Sequence, residues 1–403
     1  MGSPSRVRVT GPLEPYAAGF ASELARVGYT EHSTSHQLRV FAHLSRWLAA
    51  ESLDVAELTP VVGDAFLTAR RAAGYTLWLS RKALQPLLKY LRELDVVPSE
   101  PIIPPSPTEA MLALFGEYLA SERGLAPSTV NEYVYMVRPF LRTREGPKGV
   151  LELKDLDAVD ITAFVVANAP GRNVGSAKLM VTALRSFLGF LHVQGVLANS
   201  LVSAVPSTAG SRLAGLPKGL AAGQVQQLLA SCDPSTAVGR RDFAVLTTLV
   251  RLGLRDGEMV ALEFGDIDWR AGEIIVRGKG NRHERVPMPV DVGMAVVDYL
   301  QTARPASDCR QVFLRMHAPH RALTSSGVSQ IVRGAARKAG LPPIGAHRLR
   351  HTVATELLRA GAPLVEIGQV LRHRSLWSTA IYAKVDRQAL RMLARPWPTG
   401  GRA

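Results

Sequence analysis

Two cysteines in 403 residues, Cys232 and Cys309, are too few for a disulfide framework or a zinc site. No apolar run approaches the roughly 18 residues that cross a bilayer. The opening MGSPSRVRVTGPLEP lacks the apolar stretch of a signal peptide. There is no GxxxxGK[ST] phosphate loop and no acidic cluster suited to magnesium. These absences argue against a stapled secreted domain, a helical membrane protein and a nucleotide-driven machine. The expectation is a cytoplasmic protein without membrane contact, metal or other cofactor.

What is present is an ordered globular chain, 47% apolar and 20% charged, long enough for two to four domains. Its net charge of +14 is unevenly placed. Residues 1–100 hold 11 basic against 10 acidic side chains, residues 101–205 hold 9 of each, and residues 206–403 hold 28 against 15. Nearly all the surplus therefore lies in the C-terminal half, as for a domain that meets a polyanion. A solvated basic surface would give the same count, so the charge needs chemistry beside it. Most of the basic residues are arginines, whose forked guanidinium suits phosphate.

Two punctuated stretches divide the chain: a proline-dense linker at 98–107 and a Ser/Gly/Pro-rich linker at 205–218. The implied order is a tail at 1–14, then blocks at 15–97, 108–204 and 219–384, then a tail at 385–403. The first two blocks look like copies. ELTPVVGDAFL (57–67) lies over DLDAVDITAFV (155–165), and LQPLLKYLRELDVV (84–97) over LRSFLGFLHVQGVL (184–197). Apolar positions recur at helical spacing, predicting four or five helices in each copy. In the third block, 242–252 reads as a strongly apolar helix ending near Gly253. Residues 266–289 read as an antiparallel hairpin around GKGN. Helices are predicted at about 291–303, 325–339, 347–360, 363–372 and 376–383. The fold class is mainly α, with two tandem helical domains before a mostly-α domain carrying a small antiparallel sheet.

That third block carries Arg255, Lys279, His347, Arg350, His373 and Tyr382, inside LGLRDGEMVAL, VRGKGNRHERVPMP, GAHRLRHT and VLRHRSLWSTAIY. Breaking a phosphodiester without metal requires neutralising the phosphate, deprotonating a nucleophile and protonating a leaving oxygen. Arg255 and Arg350 suit the first task. His347, three residues before Arg350 and on the same helical face, is a candidate acid/base. Lys279 at the hairpin tip can protonate the leaving oxygen, and His373 can donate to the phosphate. Tyr382, with an ordinary pKa of about 10, is the candidate nucleophile. Glu258 is placed to orient Arg255. His351, next to Arg350, is expected to point elsewhere and pack. Lys178, Arg185 and Arg282 are DNA-binding candidates.

These phrases resemble the tyrosine recombinase, or phage integrase, family. The likeness rests on Gly253-Leu254-Arg255 with Glu258, Gly278-Lys279-Gly280, His347-Arg348-Leu349-Arg350-His351-Thr352, and His373 nine residues before Tyr382. RGLAPSTVNEYVYMVRPFL and ALRSFLGFLHVQGVL resemble the family's helical core-binding (SAM-like) domain, so the likeness covers about 108–385. It implies a site-specific recombinase or integrase, as of a mobile element, that cuts duplex DNA through a 3′-phosphotyrosine. It also implies a clamp around duplex DNA bearing specific recombination sites. Four protomers would act on two duplexes, with or without partner recombinases. The tail, with Leu390, Leu393 and Trp397 at helical spacing, would dock on a neighbouring protomer.

Two features depart from the family pattern. Arg372 stands where glycine is usual, and would perturb His373 or add a phosphate contact. The block 15–97 is extra. Gln85 in the first copy replaces Arg185 of the second, and Lys178 has no clear basic counterpart. With little charge surplus, the first copy is expected to contact neighbouring protomers, or DNA weakly. A topoisomerase-like relaxing enzyme and a non-cutting DNA-binding accessory protein are the alternative readings.

Overall fold

Most long helices begin where the sequence supplies a cap. The side chains of Thr30, Thr59, Ser106, Asn173, Thr236 and Thr324 each accept the backbone N–H three residues on, satisfying a donor that the helix leaves unpaired. The computed structural model describes residues 7–99, 105–146, 149–209, 219–278, 282–373, 379 and 381–382. Lys279, the tail with Leu390, Leu393 and Trp397, most of the segment 376–383 and parts of both linkers lie outside the described residues. The described chain is mainly α, with one small antiparallel sheet.

The chain divides into two compact units, Ile102–Gly215 and the combination of Met1–Pro101 with Leu216–Ala403. The first of these holds α5 (Pro107–Ser121), α6 (Pro127–Arg142), α7 (Ala158–Asn168) and α8 (Val174–Val193), taking labels in chain order after α1 (Ala17–Arg26), α2 (Glu31–Ala50), α3 (Pro60–Ala72) and α4 (Arg81–Glu93). Its core is built on aromatic rings. Phe187 lies 5.1 Å from Phe115, edge to face, and 6.4 Å from Phe140, and both it and its neighbours are buried. Helix α8 is long and apolar enough to cross a bilayer, the one such helix among the described residues, although the sequence predicts no such run. Half of that stretch is buried inside the unit.

Helices α1–α4 repeat this plan with a separate core. Leu84, Leu87 and Leu91 are buried on α4, as Leu184, Phe187 and Leu191 are on α8. The paired Phe66 and Phe164 are buried too. Each copy has four α-helices. The first copy belongs to the same compact unit as the C-terminal block. At their seam the His320 N–H donates to the Val27 carbonyl at 3.3 Å. Gly28 sits so close that a Cβ there would lie 2.0 Å from the His320 ring, and its φ of +92° also favours glycine.

The C-terminal block holds α9 (Ala222–Ala230), α10 (Ala237–Leu252), α11 (Asp256–Ala261), α12 (Val290–Thr302), α13 (Ser325–Lys338), α14 (Ala346–Arg359) and α15 (Leu364–Val370). Its sheet has order β1 (Ile267–Asp268), β2 (Glu273–Gly278), β3 (Arg282–Pro287), all antiparallel. Ile274 and Val276 turn their side chains into the core, while β3 stays more exposed. Helix α10 starts at Ala237, earlier than the apolar pattern suggests, because Thr236 caps it before the periodic residues begin. Replacing Phe187 by alanine should cost about 3–5 kcal/mol through lost burial and an aromatic-lined void. Chemical denaturation of the whole chain should show one transition moved to lower denaturant; an unmoved curve would contradict this packing.

Candidate active site

Helix α10 ends at Gly253, whose φ of +56° is left-handed. A Cβ there would also meet Leu371 Cδ2 at 2.8 Å. The turn lets the chain restart two residues later as α11, with Arg255 at its N-cap, as expected for a side chain projecting from a helix start. Glu258, one turn into α11, is buried and folds back. Its Oε2 accepts the Arg255 backbone N–H at 2.9 Å, and its Oε1 accepts the Arg255 guanidinium. Arg372 approaches Oε2 at 3.2 Å and Arg350 at 3.9 Å. Burial alone would raise the Glu258 pKa. The Arg255 backbone N–H and the guanidiniums of Arg372 and Arg255 overcome it and hold the carboxyl below its ordinary range.

Arg350, on α14, is buried and donates to the Gly253 carbonyl at 2.6 Å and to the Leu371 carbonyl. Burial and then Arg255 lower its pKa to about 9, against the pull of Glu258, so it is charged at pH 7. Arg372 follows α15 with φ +53°, a left-handed conformation that costs a non-glycine residue roughly 1–2 kcal/mol. That backbone is the physical reason glycine suits the position. Here the side chain turns inward and donates to the carbonyls of Val370, Leu252 and Gly253 at 3.0, 3.3 and 3.4 Å. It is bound within the protein by these carbonyls and by Glu258.

The tyrosine and histidines meet near Arg350. Tyr382 is 2% exposed, and its hydroxyl lies 2.6 Å from His351 Nδ1. The expectation that His351 points elsewhere is therefore corrected. One residue past Arg350 is a 100° rotation, but His351 is also four residues past His347, and their rings lie 4.5 Å apart on one helical face. His373 lies parallel to Tyr382 with ring centroids 6.5 Å apart, and its Nδ1 is 2.7 Å from Thr379 Oγ1. Burial raises the Tyr382 pKa to about 12, with Arg350 opposing. Burial first, then neighbouring cations, lowers His347, and brings His351 and His373 each to about 4.

Arg255, Arg282, Gly278, Arg372 and His373 line a cleft of about 520 Å³. The Arg255 side chain is 38% exposed, whereas those of Arg350 and Arg372 are 2% and 4% exposed, so Arg255 offers its charge to a ligand and the other two sit beneath. Lys279, outside the described residues, follows Gly278 at this rim in sequence. In the other unit Arg185 donates to the Val205 carbonyl at 2.8 Å and Ser207 Oγ at 3.1 Å, and Lys178 is half-buried one face along α8. Among the described residues no group of three His, Cys, Asp or Glu is placed to hold a metal.

Residues 218–389 match the phage integrase family, and residues 112–195 match the phage integrase N-terminal SAM-like domain. Over 396 residues the chain is 40% identical to y4rA of Sinorhizobium fredii, which bears an integrase/recombinase name, covering 96% of this chain and 95% of that one. The chain belongs to the phage integrase family of tyrosine recombinases. It is also 32% identical over 282 residues to the tyrosine recombinase XerD of Listeria monocytogenes, covering 69% of this chain and 94% of that protein. In fold it resembles XerH site-specific recombinase bound to palindromic difH substrate, with TM-score 0.57, 21% identity, and coverage of 73% and 98% of the two chains. The match to y4rA runs through the first helical copy, so a relative shares the extra block of this recombinase.

Of the recombinase site, His351 was named in the sequence reading but misplaced, and Thr379 was missed. His351 carried a signal, its spacing of four from His347. Thr379 carried none, because six residues from His373 matches no helical or strand period. The histidines generate a pH prediction. Both His351 and His373 have pKa values of about 4 in the folded chain, against about 6.5 when unfolded. The unfolded chain therefore takes up protons first as pH falls. Their contribution to stability is full above about 6.5 and is lost progressively toward about 4. The thermal midpoint should drop from pH 7 to pH 5, and less steeply in His351→Asn/His373→Asn. An equal slope in the double variant would contradict the shifts.

Proposed function

We propose that this recombinase cuts and rejoins duplex DNA at specific sites through a covalent 3′-phosphotyrosine, without metal or ATP, and serves a mobile element. The observation that carries the reading is the Tyr382 hydroxyl, 2.6 Å from a neutral His351, in a domain whose adjacent cleft is lined by Arg255, Arg282 and His373. A neutral imidazole can accept the tyrosine proton, which a charged one cannot. Arg255 and His373 would hold the non-bridging phosphate oxygens, with the buried charge of Arg350 beneath them. The tyrosine oxygen attacks phosphorus, and the bond from phosphorus to the 5′ oxygen breaks. That oxygen leaves as a hydroxyl, with Lys279 as the candidate proton donor. The phosphotyrosine retains the energy of the broken bond, so rejoining by a 5′ hydroxyl needs no nucleotide.

His347, edge-on to His351 with ring centroids 4.5 Å apart, is a second candidate base in this reading. Tyr382 is buried in this conformation, and attack on a duplex requires its turn to move outward. Solved structures of similar fold include a lambda integrase dimer bound to a core site and a transposon integrase in complex with circular intermediate DNA. They support the DNA partner and the mobile-element setting. The helical unit 102–215 would be the second DNA-contacting element, and the working assembly a homotetramer on two duplexes in the cytoplasm.

Nicked suicide duplexes carrying the ends of the host element test the chemistry. Cleavage releases a short fragment that diffuses away, so the covalent adduct accumulates. The expected result is a protein–DNA adduct in the unmodified chain and none in Tyr382→Phe. An adduct that survives Tyr382→Phe would remove this tyrosine from the mechanism. DNA relaxed without exchange of strands between sites would favour the topoisomerase-like alternative.

A further inference from the structure

Like Arg350, Arg372 buries its side chain in the protein, and its bonds connect two parts of the cleavage centre. Its guanidinium reaches the end of α10 through Leu252 and Gly253 and reaches Glu258 on α11. In return, the Arg255 guanidinium donates to the Arg372 carbonyl at 3.1 Å. The turn that carries His373 is thereby tied in both directions to the turn that carries Arg255. The charge balance is equally specific. Three guanidiniums lie within 4 Å of the single Glu258 carboxylate, for a formal local charge of +2. Without Arg372 it would be +1, and Glu258 would draw more fully on Arg255, the cation exposed at the cleft.

We propose that Arg372 is a positioning residue for strand cleavage: it shares Glu258 from inside, on Oε2, so that the carboxylate's charge is not spent on Arg255 alone and Arg255 can engage phosphate, and it ties the turn of His373 to that of Arg255. The inference rests on the phosphotyrosine reading above, which supplies the reaction it serves. It assigns Arg372 no contact with DNA. Arg372 reaches the reacting atoms only through Glu258, Arg255 and the backbone before His373. Its left-handed φ makes Arg372→Gly a clean deletion, since glycine adopts that backbone without strain.

The test is single-turnover adduct formation on nicked suicide duplexes by the full chain, with duplex affinity measured in parallel. Arg372→Gly should slow cleavage on the order of tenfold, less than the roughly 100- to 1,000-fold typical of a donor in direct contact with the transition state. Duplex affinity should fall by less than the rate. Arg372→Gly/Glu258→Gln restores the formal charge of +2 and should cleave faster than Arg372→Gly alone, whereas two purely structural losses would compound. Arg372→Lys should retain an intermediate rate. If Arg372→Gly does not fold, Arg372→Lys and Arg372→Gln take its place, with lysine expected to exceed glutamine. Full-rate cleavage by the Arg372→Gly or Arg372→Gln variant, or a double variant no faster than Arg372→Gly, would overturn the inference. A wild-type chain that forms no Tyr382-dependent adduct would instead sink the functional reading, and this inference with it.

Discussion

The site depends on one buried carboxylate. Glu258 faces the guanidiniums of Arg255, Arg350 and Arg372, which come from the start of α11, from α14 and from the turn after α15. Desolvating such a cluster is costly, and one acid does not neutralise three cations. Further donors of Arg350 and Arg372 are met by carbonyls of Gly253, Leu371, Leu252 and Val370, although Arg372 Nε is buried without a partner. Most of those carbonyls lie at the ends of α10 and α15, where a helix leaves acceptors unpaired. The cations thus satisfy helix ends, and helix ends in turn fix the cations. Removing one partner of such a buried set typically costs about 3–5 kcal/mol, since a charge is then stranded away from water.

Legibility followed the kind of signal each residue left. Arg255 was readable because Gly253 marks a helix end and a fresh helix start follows within two residues. The duplicated helical copies were readable because buried positions such as Leu87 and Phe187 keep their helical spacing even when the side chain changes. His351 was misplaced because adjacency to Arg350 was weighed above its spacing of four from His347. The inward turn of Arg372 was not legible, since it needs a left-handed arginine, a conformation that local propensity disfavours. The seam between the first copy and the C-terminal block was equally silent. It involves a loop carbonyl at Val27 and the backbone of His320, and neither leaves a periodic trace.

The two copies also show which properties a duplicated fold keeps. Cores are conserved as volume and periodicity, with Leu84 and Leu184 buried alike. Surfaces diverge: Arg185 in the second copy stands opposite Gln85 in the first, and the basic surplus is gathered in residues 206–403. The copy that matches the SAM-like domain forms a unit of its own, while the other is joined to the C-terminal block. One helical plan therefore supports two different attachments within a single chain.

Helix α15 is only seven residues long, too short to persist by itself in water. Its C-terminal end is held by Arg350 on Leu371 and by Arg372 on Val370, with Leu371 buried against Val353 and Ile367. If those guanidiniums let go, α15 loses its anchor and His373 loses its address in the same step. Local opening of this corner and loss of the cleavage centre would thus be one cooperative event, so hydrogen-exchange protection of α15 should report directly on the integrity of the chemistry.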